Sequence, residues 1–297
     1  MKGAFMLKAG WNRVDITPSE PVPLAGYGHL RERLHTSVRD PVSVRAFAFE
    51  EGTMRVVLLV YDLLMVPEIL YQGIKARLVD TSIRVMVHAT HTHSSLGGFG
   101  HGFLVNRFAG TFRDWIPGHL VDRGEQAARA ALEDLQPAEA RAGSSLLPGL
   151  NGNRRDPDGP LDEELTVLRL VRKRDDALIV SYSAHPVIVG ERDHHVLSAD
   201  FPGEVVRRLE RDFPFAAFVQ GSLGGVDVLF PDDPDMAVDR NLRLMADPLA
   251  NAAANLARLA RTSDGPLTFA GESWDLPEPD SRPFFDDQTW SGPPGLP

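Results

Sequence analysis

The sequence predicts an α/β fold: a single domain with a mixed, partly parallel β-sheet flanked by helices. Three observations carry this. Apolar runs of strand length alternate with segments of helical period, the pattern of parallel crossover units. Two later alternating runs are separated by a short charged turn, which adds an antiparallel hairpin. The length of 297 residues, with 43% hydrophobic and 24% charged content, supplies an ample core.

The first element is the alternating run from Ala9, which stops at Pro18 as a strand entering a loop would. A turn-rich loop follows, Pro23-Leu24-Ala25-Gly26-Tyr27-Gly28-His29, and its glycines admit backbone angles closed to other residues. Val44 to Phe49 and Met54 to Asp62 read as adjacent strands joined at Glu51-Gly52. Val66, Ile69, Leu70, Ile74 and Leu78 recur at helical spacing, and Ile83 to His88 is the next buried strand. Strand, helix and strand in that order imply a parallel crossover, with its functional loop at a strand's carboxyl end.

A helix from about His119 to Leu135 carries alanines and Leu132 on one side. A strand near Ala138 to Ser145 and a turn-rich connection from Gly149 to Gly159 follow it. Leu165 to Val171 and Ala177 to Ser183 form the hairpin around Lys173 to Asp176. Glu204 to Asp212 reads as a short helix, Phe215 to Val219 as a buried strand, and Asp239 to Ala260 as a long helix. The catalytic domain is expected over residues 1–265, and residues 266–297 as a final strand and a Pro/Asp-rich tail.

Composition narrows the chemistry. The net charge of −10 disfavours nucleic acid and anionic membrane as main partners, because both need basic patches. With no cysteine, thiolate metal sites, disulfides and a cysteine nucleophile are all excluded. Any metal must sit on His, Asp, Glu or Tyr. No segment has the apolar length of a signal peptide or membrane span, so a cytoplasmic protein without stable membrane attachment is expected.

Seven of the ten histidines fall in two regions, His88/His91/His93/His101 and His185/His194/His195. The first lies in Met86-Val87-His88-Ala89-Thr90-His91-Thr92-His93-Ser94, where an apolar strand opens into a loop. In extended backbone His91 and His93 share a face. The second, Ser181-Tyr182-Ser183-Ala184-His185-Pro186, is another strand ending at a histidine. If the two strands lie side by side, their histidines meet at one sheet edge, and imidazoles from separate loops form an open metal site that can activate water. A lone histidine at a strand end is more often a hydrogen-bonding loop residue, but His91 together with His185 reverses those odds. Adjacent His194 and His195 face opposite ways, so at most one reaches the site.

Two further segments bear on chemistry. Phe218 to Asp227 is a strand opening into a glycine-rich loop, yet it lacks the Gly-Lys-Ser/Thr ending of a phosphate loop. Its Gly221-Ser222-Leu223-Gly224 is one residue short of a nucleophile elbow. Asn153-Arg154-Arg155 offers a guanidinium fork for a carboxylate or carbonyl, or a loop tied to Asp156, Asp158 or Asp162.

Taken in order, Gly10 to Pro18, Ala25-Gly26-Tyr27, Asp62, Ala89 to Ser94, Asn153-Arg154-Arg155, Ala184-His185-Pro186, Ser198 to Gly203 and Gln220 to Gly225 resemble the amino-terminal domain of the neutral/alkaline ceramidases. The resemblance spans most of residues 9–260, and the Thr-His-Thr-His-Ser run is its most specific part. It implies a zinc ion that activates water to cleave the amide between a fatty acyl chain and a sphingoid base. It implies His91 and His185 as zinc ligands, His93 as a substrate- or oxyanion-contacting neighbour, and Arg155 or Arg154 near the site.

The pattern departs in three places, one of them that no counterpart of the family's carboxyl-terminal sandwich domain is expected within these 297 residues. The family's Gly-Asp-Val-Ser-Pro segment stands here as Gly224-Gly225-Val226-Asp227-Val228, with Asp227 at the serine position. The family's remaining ligands, a Glu and a Tyr, come from beyond residue 297. Candidates to complete the metal site are therefore Asp227, Asp62, His93, His194 and Asp200, or a partner subunit of a homo-oligomer acting through the tail. The expectation is a zinc-dependent hydrolase of an amide or related acyl bond in a small or lipid-like substrate, with His93 and Asp227 handling protons and Arg155 beside them. The rival expectation is a ligand-binding or regulatory protein that retains the fold without catalysis.

Overall fold

Strand-forming alternation is densest near the amino terminus, and there the chain makes β1 (Lys8–Asp15), β2 (Ser37–Val38), β3 (Ser43–Glu51) and β4 (Met54–Tyr61). The computed structural model describes residues 6–28, 33–78, 80, 82–229, 237–263 and 265–271, so of the final strand and Pro/Asp-rich tail expected over residues 266–297 all beyond residue 271 lies outside the described residues. Beyond β4 come α1 (Glu68–Arg77), β5 (Ile83–Ala89), α2 (Phe103–Ala109) and α3 (Trp115–Glu133). Then follow β6 (Gln136–Leu146), β7 (Asn151–Asn153), β8 (Glu164–Arg172), β9 (Asp176–Tyr182) and β10 (Val196–Leu197). The series ends with α4 (Asp200–Leu209), β11 (Phe215–Gln220), β12 (Val226–Val228), α5 (Val238–Leu259) and β13 (Arg261–Thr262).

The main sheet has the order β11-β9-β8-β6-β1-β3-β4-β5, with β13 added to β6. Only β4 with β5 and β9 with β11 are parallel in it, so the sheet is mixed as the sequence predicts. The order is palindromic. One half runs β1, β3, β4, α1, β5, α3 and the other β6, β8, β9, α4, β11, α5, joined where β1 meets β6 antiparallel. Each half thus repeats a hairpin, a crossover helix, a parallel strand and a long helix, with buried Tyr61 and Tyr182 closing corresponding strands.

Packing follows from this duplication. Leu70 and Ile74 of α1 and Ile116, Leu120, Ala127 and Ala131 of α3 cover the outer face of one half. Phe201 and Val205 of α4 and Leu249 and Ala253 of α5 cover the other. The inner faces meet each other through Trp11, Phe47, Val60, Leu170, Ile179 and Phe215. The result is four layers, helix, sheet, sheet and helix, in which each fully buried Phe or Leu contributes about 2–3 kcal/mol. An apolar cleft of about 380 Å³ remains between the inner faces, flanked by Met86, Ile179 and Val219 and reached by Leu267 and Phe269.

The histidine-bearing strands are not neighbours, contrary to the side-by-side arrangement that the sequence suggests. Five antiparallel steps separate β4 from β9, so the parallel pair β4/β5 runs opposite to β9/β11 along the sheet. Coiling of the sheet instead brings its two end strands together. The contact is visible where the Gln220 backbone N–H donates to His88 Nε2 at 2.9 Å. His88 is thereby a seam residue.

Helix α4 begins at Asp200 rather than near Glu204, because Pro202 and Gly203 are tolerated in a first turn. Among the described helices none is long and apolar enough to cross a membrane.

Candidate metal centre

His91 sits two residues beyond β5, at φ +66°, so the stretch through His93 is not extended. The two rings still converge, at a centroid separation of 5.0 Å, but a left-handed turn at His91 does this rather than strand alternation. The His91 backbone N–H donates to Leu63 O at 2.9 Å, which anchors the turn to the loop after β4. His185 lies three residues beyond β9, and the His93 N–H donates to Pro186 O at 3.1 Å, linking the two histidine loops directly.

The ring nitrogens then fall into one cluster. His93 Nε2 lies 3.4 Å from His91 Nε2 and 2.9 Å from His185 Nε2. His91 Nδ1 faces Leu64 O at 2.7 Å, and His185 Nδ1 faces Leu223 O at 3.1 Å. A carbonyl only accepts, so both Nδ1 atoms carry the proton and both Nε2 atoms present lone pairs to the centre. His91 and His93 come from the loop after β5 and His185 from the loop after β9, and His91 and His185 are each oriented by a leucine carbonyl from the loop after the adjacent parallel strand.

Burial first, then the like-charged neighbours, hold these rings neutral. His91 is pushed down to about 4 by burial, with His185 and Arg154 adding to it. His93 is driven well below the usual histidine range by burial and by both other imidazoles, and His185 is lowered chiefly by burial. Three neutral imidazoles facing one another at these distances leave at least one pair of lone pairs opposed unless a cation lies between them.

The cluster fits a metal. Zinc–nitrogen bonds of about 2.0–2.1 Å at tetrahedral angles place ligand nitrogens about 3.3–3.4 Å apart. The ligand atoms of His91, His93 and His185 lie within 4.8 Å of one another, and these three form the group among the described residues able to hold an ion.

The other candidate ligands lie outside this group. Asp62 is buried, accepting from Ser43 N at 2.9 Å and Ser43 Oγ at 3.0 Å, and burial raises its pKa. Asp200 is fully buried and accepts backbone N–H groups, with burial pushing it up to about 6. His194 packs edge-on against Tyr27 at 4.9 Å, and Tyr27 in turn against His93 at 5.3 Å. Asp227 is half-buried on β12, capped by the Val228 N–H at 2.9 Å, and raised by burial.

Of the two arginines, Arg154 is the one whose charge reaches all three imidazoles and Asp227. Its Nη2 donates to Gly224 O at 2.8 Å and its backbone N–H to Gly225 O at 2.9 Å. Arg155 is exposed and turns its backbone N–H to Asn153 Oδ1 at 3.0 Å. Two adjacent arginines carry no sequence signal that separates them. The pairing of β7 with β12, which sets the register of this loop, does so.

In the metal-free protein the depressed His91 pKa has a stability consequence. Between pH 6.5 and 4 the unfolded chain binds a proton at this position that the folded chain refuses, so acidification favours unfolding. Asp200 acts in the opposite sense, because the folded state takes its proton at about 6, before the unfolded state does. Comparing the wild type with His91→Gln isolates the histidine: urea titrations at pH 7 and pH 5 should show the variant losing about 2 kcal/mol less on acidification. Equal losses would show that His91 titrates as an ordinary exposed histidine.

A four-layer α/β fold with a converging imidazole cluster at the meeting of two strand-end loops defines a metal-capable protein of the αββα type. The chain belongs to the neutral/alkaline non-lysosomal ceramidase family, whose amino-terminal model matches residues 7–220. It is 28% identical over 244 residues to a neutral ceramidase of Pseudomonas aeruginosa, covering 73% of this chain and 36% of that protein. It is 25% identical over 288 residues to a neutral ceramidase of Mycobacterium tuberculosis, covering 89% and 41%.

Among solved structures, a ceramidase complexed with C2 superposes with a TM-score of 0.76 at 24% identity, over 86% of this chain and 44% of that one. The crystal structure of the Pseudomonas aeruginosa neutral ceramidase gives 0.74 at 24% identity, over 86% and 45%. The chain spans less than half the length of these relatives.

Proposed function

We propose that the protein is a zinc-dependent hydrolase that cleaves an amide or related acyl bond, with His91, His93 and His185 holding the metal. The observation that carries this reading is the convergence of three Nε2 atoms, two of them fixed as lone-pair donors by the carbonyls of Leu64 and Leu223. It changes the role that family resemblance implies for His93, from substrate contact to third protein ligand. Three protein ligands with a fourth position open is the usual arrangement of a catalytic zinc site.

A bound ion of this class supplies Lewis-acid polarisation of an acyl carbonyl and makes water acidic near neutral pH. The chain's own residues supply the rest. Arg154, tethered to Gly224, brings a positive charge to the cluster, where negative charge develops on an acyl oxygen. Asp227, its pKa raised by burial, is suited to exchange a proton with the departing group. The substrate class that the family relationship supports is a small or lipid-like acyl compound, and zinc is favoured over harder cations because all three ligands are imidazole.

The test is metal content together with turnover. Protein purified without chelators should carry about one equivalent of zinc and hydrolyse short-chain N-acyl or ester substrates, and His185→Ala should abolish both. Under about a tenth of an equivalent, unchanged by that substitution, would sink the reading. Zinc bound without turnover on any acyl substrate would favour the second reading, a ligand-binding protein, for which Asp227 at the family's serine position is the motivating feature.

A further inference from the structure

Ser198, Ala199 and Asp200 join the two loops that carry the histidines. Toward the first loop, the Ser198 N–H donates to Ser94 O at 2.7 Å and the Thr92 hydroxyl donates to Ser198 O at 2.9 Å. Toward the second, the Asp200 carboxylate accepts the N–H of Val189 at 2.8 Å and also that of Ile188, both in the turn that follows His185. The same carboxylate accepts the Phe201 N–H at 2.6 Å. Asp40 fixes the tripeptide from behind, accepting from Ser198 Oγ at 2.7 Å and from the Ala199 N–H at 2.9 Å.

Asp200 is costly to keep. It has no solvent exposure and sits at φ +54°, a left-handed conformation that, apart from glycine, chiefly asparagine and aspartate adopt and that still costs free energy. A helix start needs neither: an exposed Ser or Asp in extended backbone caps a first turn without strain. The carboxylate's reach to Val189 is what the strained conformation provides.

We propose that Ser198-Ala199-Asp200 is a bracket that sets the spacing of His93 and His185, and that Asp200 is its positioning residue. The proposal rests on the metal reading of the site. It assigns Asp200 no contact with metal or substrate; it acts through the turn at residues 186–189, which the His93 N–H grips at Pro186 O.

Asp200→Asn is the informative change, because asparagine tolerates the left-handed region and keeps the shape but offers fewer acceptor lone pairs to the converging N–H groups. Thr92→Val removes one of the two bonds between the bracket and the other loop, leaving the Ser198 N–H to Ser94 O bond, without touching Asp200. Cobalt(II) is the probe, titrated into metal-free wild type and both variants, with the visible spectrum of the loaded protein recorded. Outer partners of metal ligands typically contribute 10–100-fold to affinity, so both variants should bind about 10–100-fold more weakly, with altered cobalt bands. Variants that match the wild type in affinity and spectrum would overturn the bracket.

Hydrogen exchange on the metal-free proteins decides the matter independently of metal. Asp200→Asn should speed exchange in residues 90–96 as well as in 186–201, because the two loops are held as one unit. Loosening confined to 186–201 would reduce Asp200 to a local helix-start residue and overturn the proposal. A wild type that takes up no cobalt would overturn the metal reading, while the exchange result would still decide whether the bracket couples the loops.

Discussion

Replacing His93 by alanine is expected to abolish stoichiometric zinc binding while leaving the fold intact. The ring lies between His91 and His185, with its Nε2 3.4 Å from one and 2.9 Å from the other, so removing it leaves two imidazoles with a gap where the third donor stood. Two histidines seldom retain zinc, and the affinity loss should exceed the roughly 10–100-fold that follows loss of an outer partner. The stability readout is equally direct. Zinc at a hundred times its dissociation constant stabilises the wild type by about 2.7 kcal/mol, and the variant should gain nothing from the same concentration. If His93 were only a substrate contact, His93→Ala would lose turnover and keep its metal. Zinc content and the zinc-dependent shift in melting temperature together separate a ligand from a substrate contact.

Much of this arrangement is legible in the sequence, for reasons that residues make plain. Met54 to Asp62 reads as an apolar run because β4 lies inside the sheet with Val57, Leu59, Val60 and Tyr61 buried, and the helix after it shows its period at Leu70 and Ile74, which are buried. Ile83 to His88 forms the expected strand but not a buried one: β5 ends the sheet, none of its residues is buried, and Arg84 and Met86 are exposed. The hairpin of β8 and β9 is announced by Lys173 to Asp176, where four charged residues leave no apolar side chain to bury. His91 and His185 stand out because a histidine two or three residues beyond an apolar strand emerges at the end of the sheet.

What the sequence hides is long-range or conformational. Five antiparallel steps and the coiling of the sheet bring β5 against β11, and no local pattern encodes that closure, so the meeting of the histidine loops leaves no mark in either segment alone. The duplication is invisible by period because the halves retain architecture, not sequence. A left-handed His91 reads like any other loop residue. Helix α2 is only seven residues long and lies between Gly102 and Gly110, both at positive φ, so its boundaries read as turn signals. Asp62 and Asp200 are reasonable metal candidates by type, but burial gives each backbone and hydroxyl donors to satisfy instead.

Gly26→Ala is the second change expected to have a large effect, through a residue that touches no metal. Gly26 has φ +123°, where a side chain is strained, and a Cβ there would stand 2.6 Å from His93 Nδ1 and 2.7 Å from its Cγ. Neither partner can easily retreat. The Gly26 N–H donates to Phe108 O at 2.8 Å and the Ala25 N–H to Ser95 O at 3.0 Å, so the backbone is bonded at the glycine and immediately before it. His93 is closed in by Tyr27 at 5.3 Å and by the other two imidazoles. His93 Nδ1, the atom such a Cβ would press on, is buried with no hydrogen-bond partner among the described residues. Overpacking and backbone strain together should cost about 2–4 kcal/mol of stability, and the relief open to the protein is rotation of His93 out of the cluster. Zinc affinity should therefore fall toward that of His93→Ala. Gly28→Ala is the control, because its Cβ would meet the Phe108 ring at 2.5 Å, a side chain on the surface helix α2 that can swing away. A Gly26→Ala protein that binds zinc like the wild type would show that the 25–28 loop yields before His93 does, and that the imidazole is held by the metal-binding loops alone.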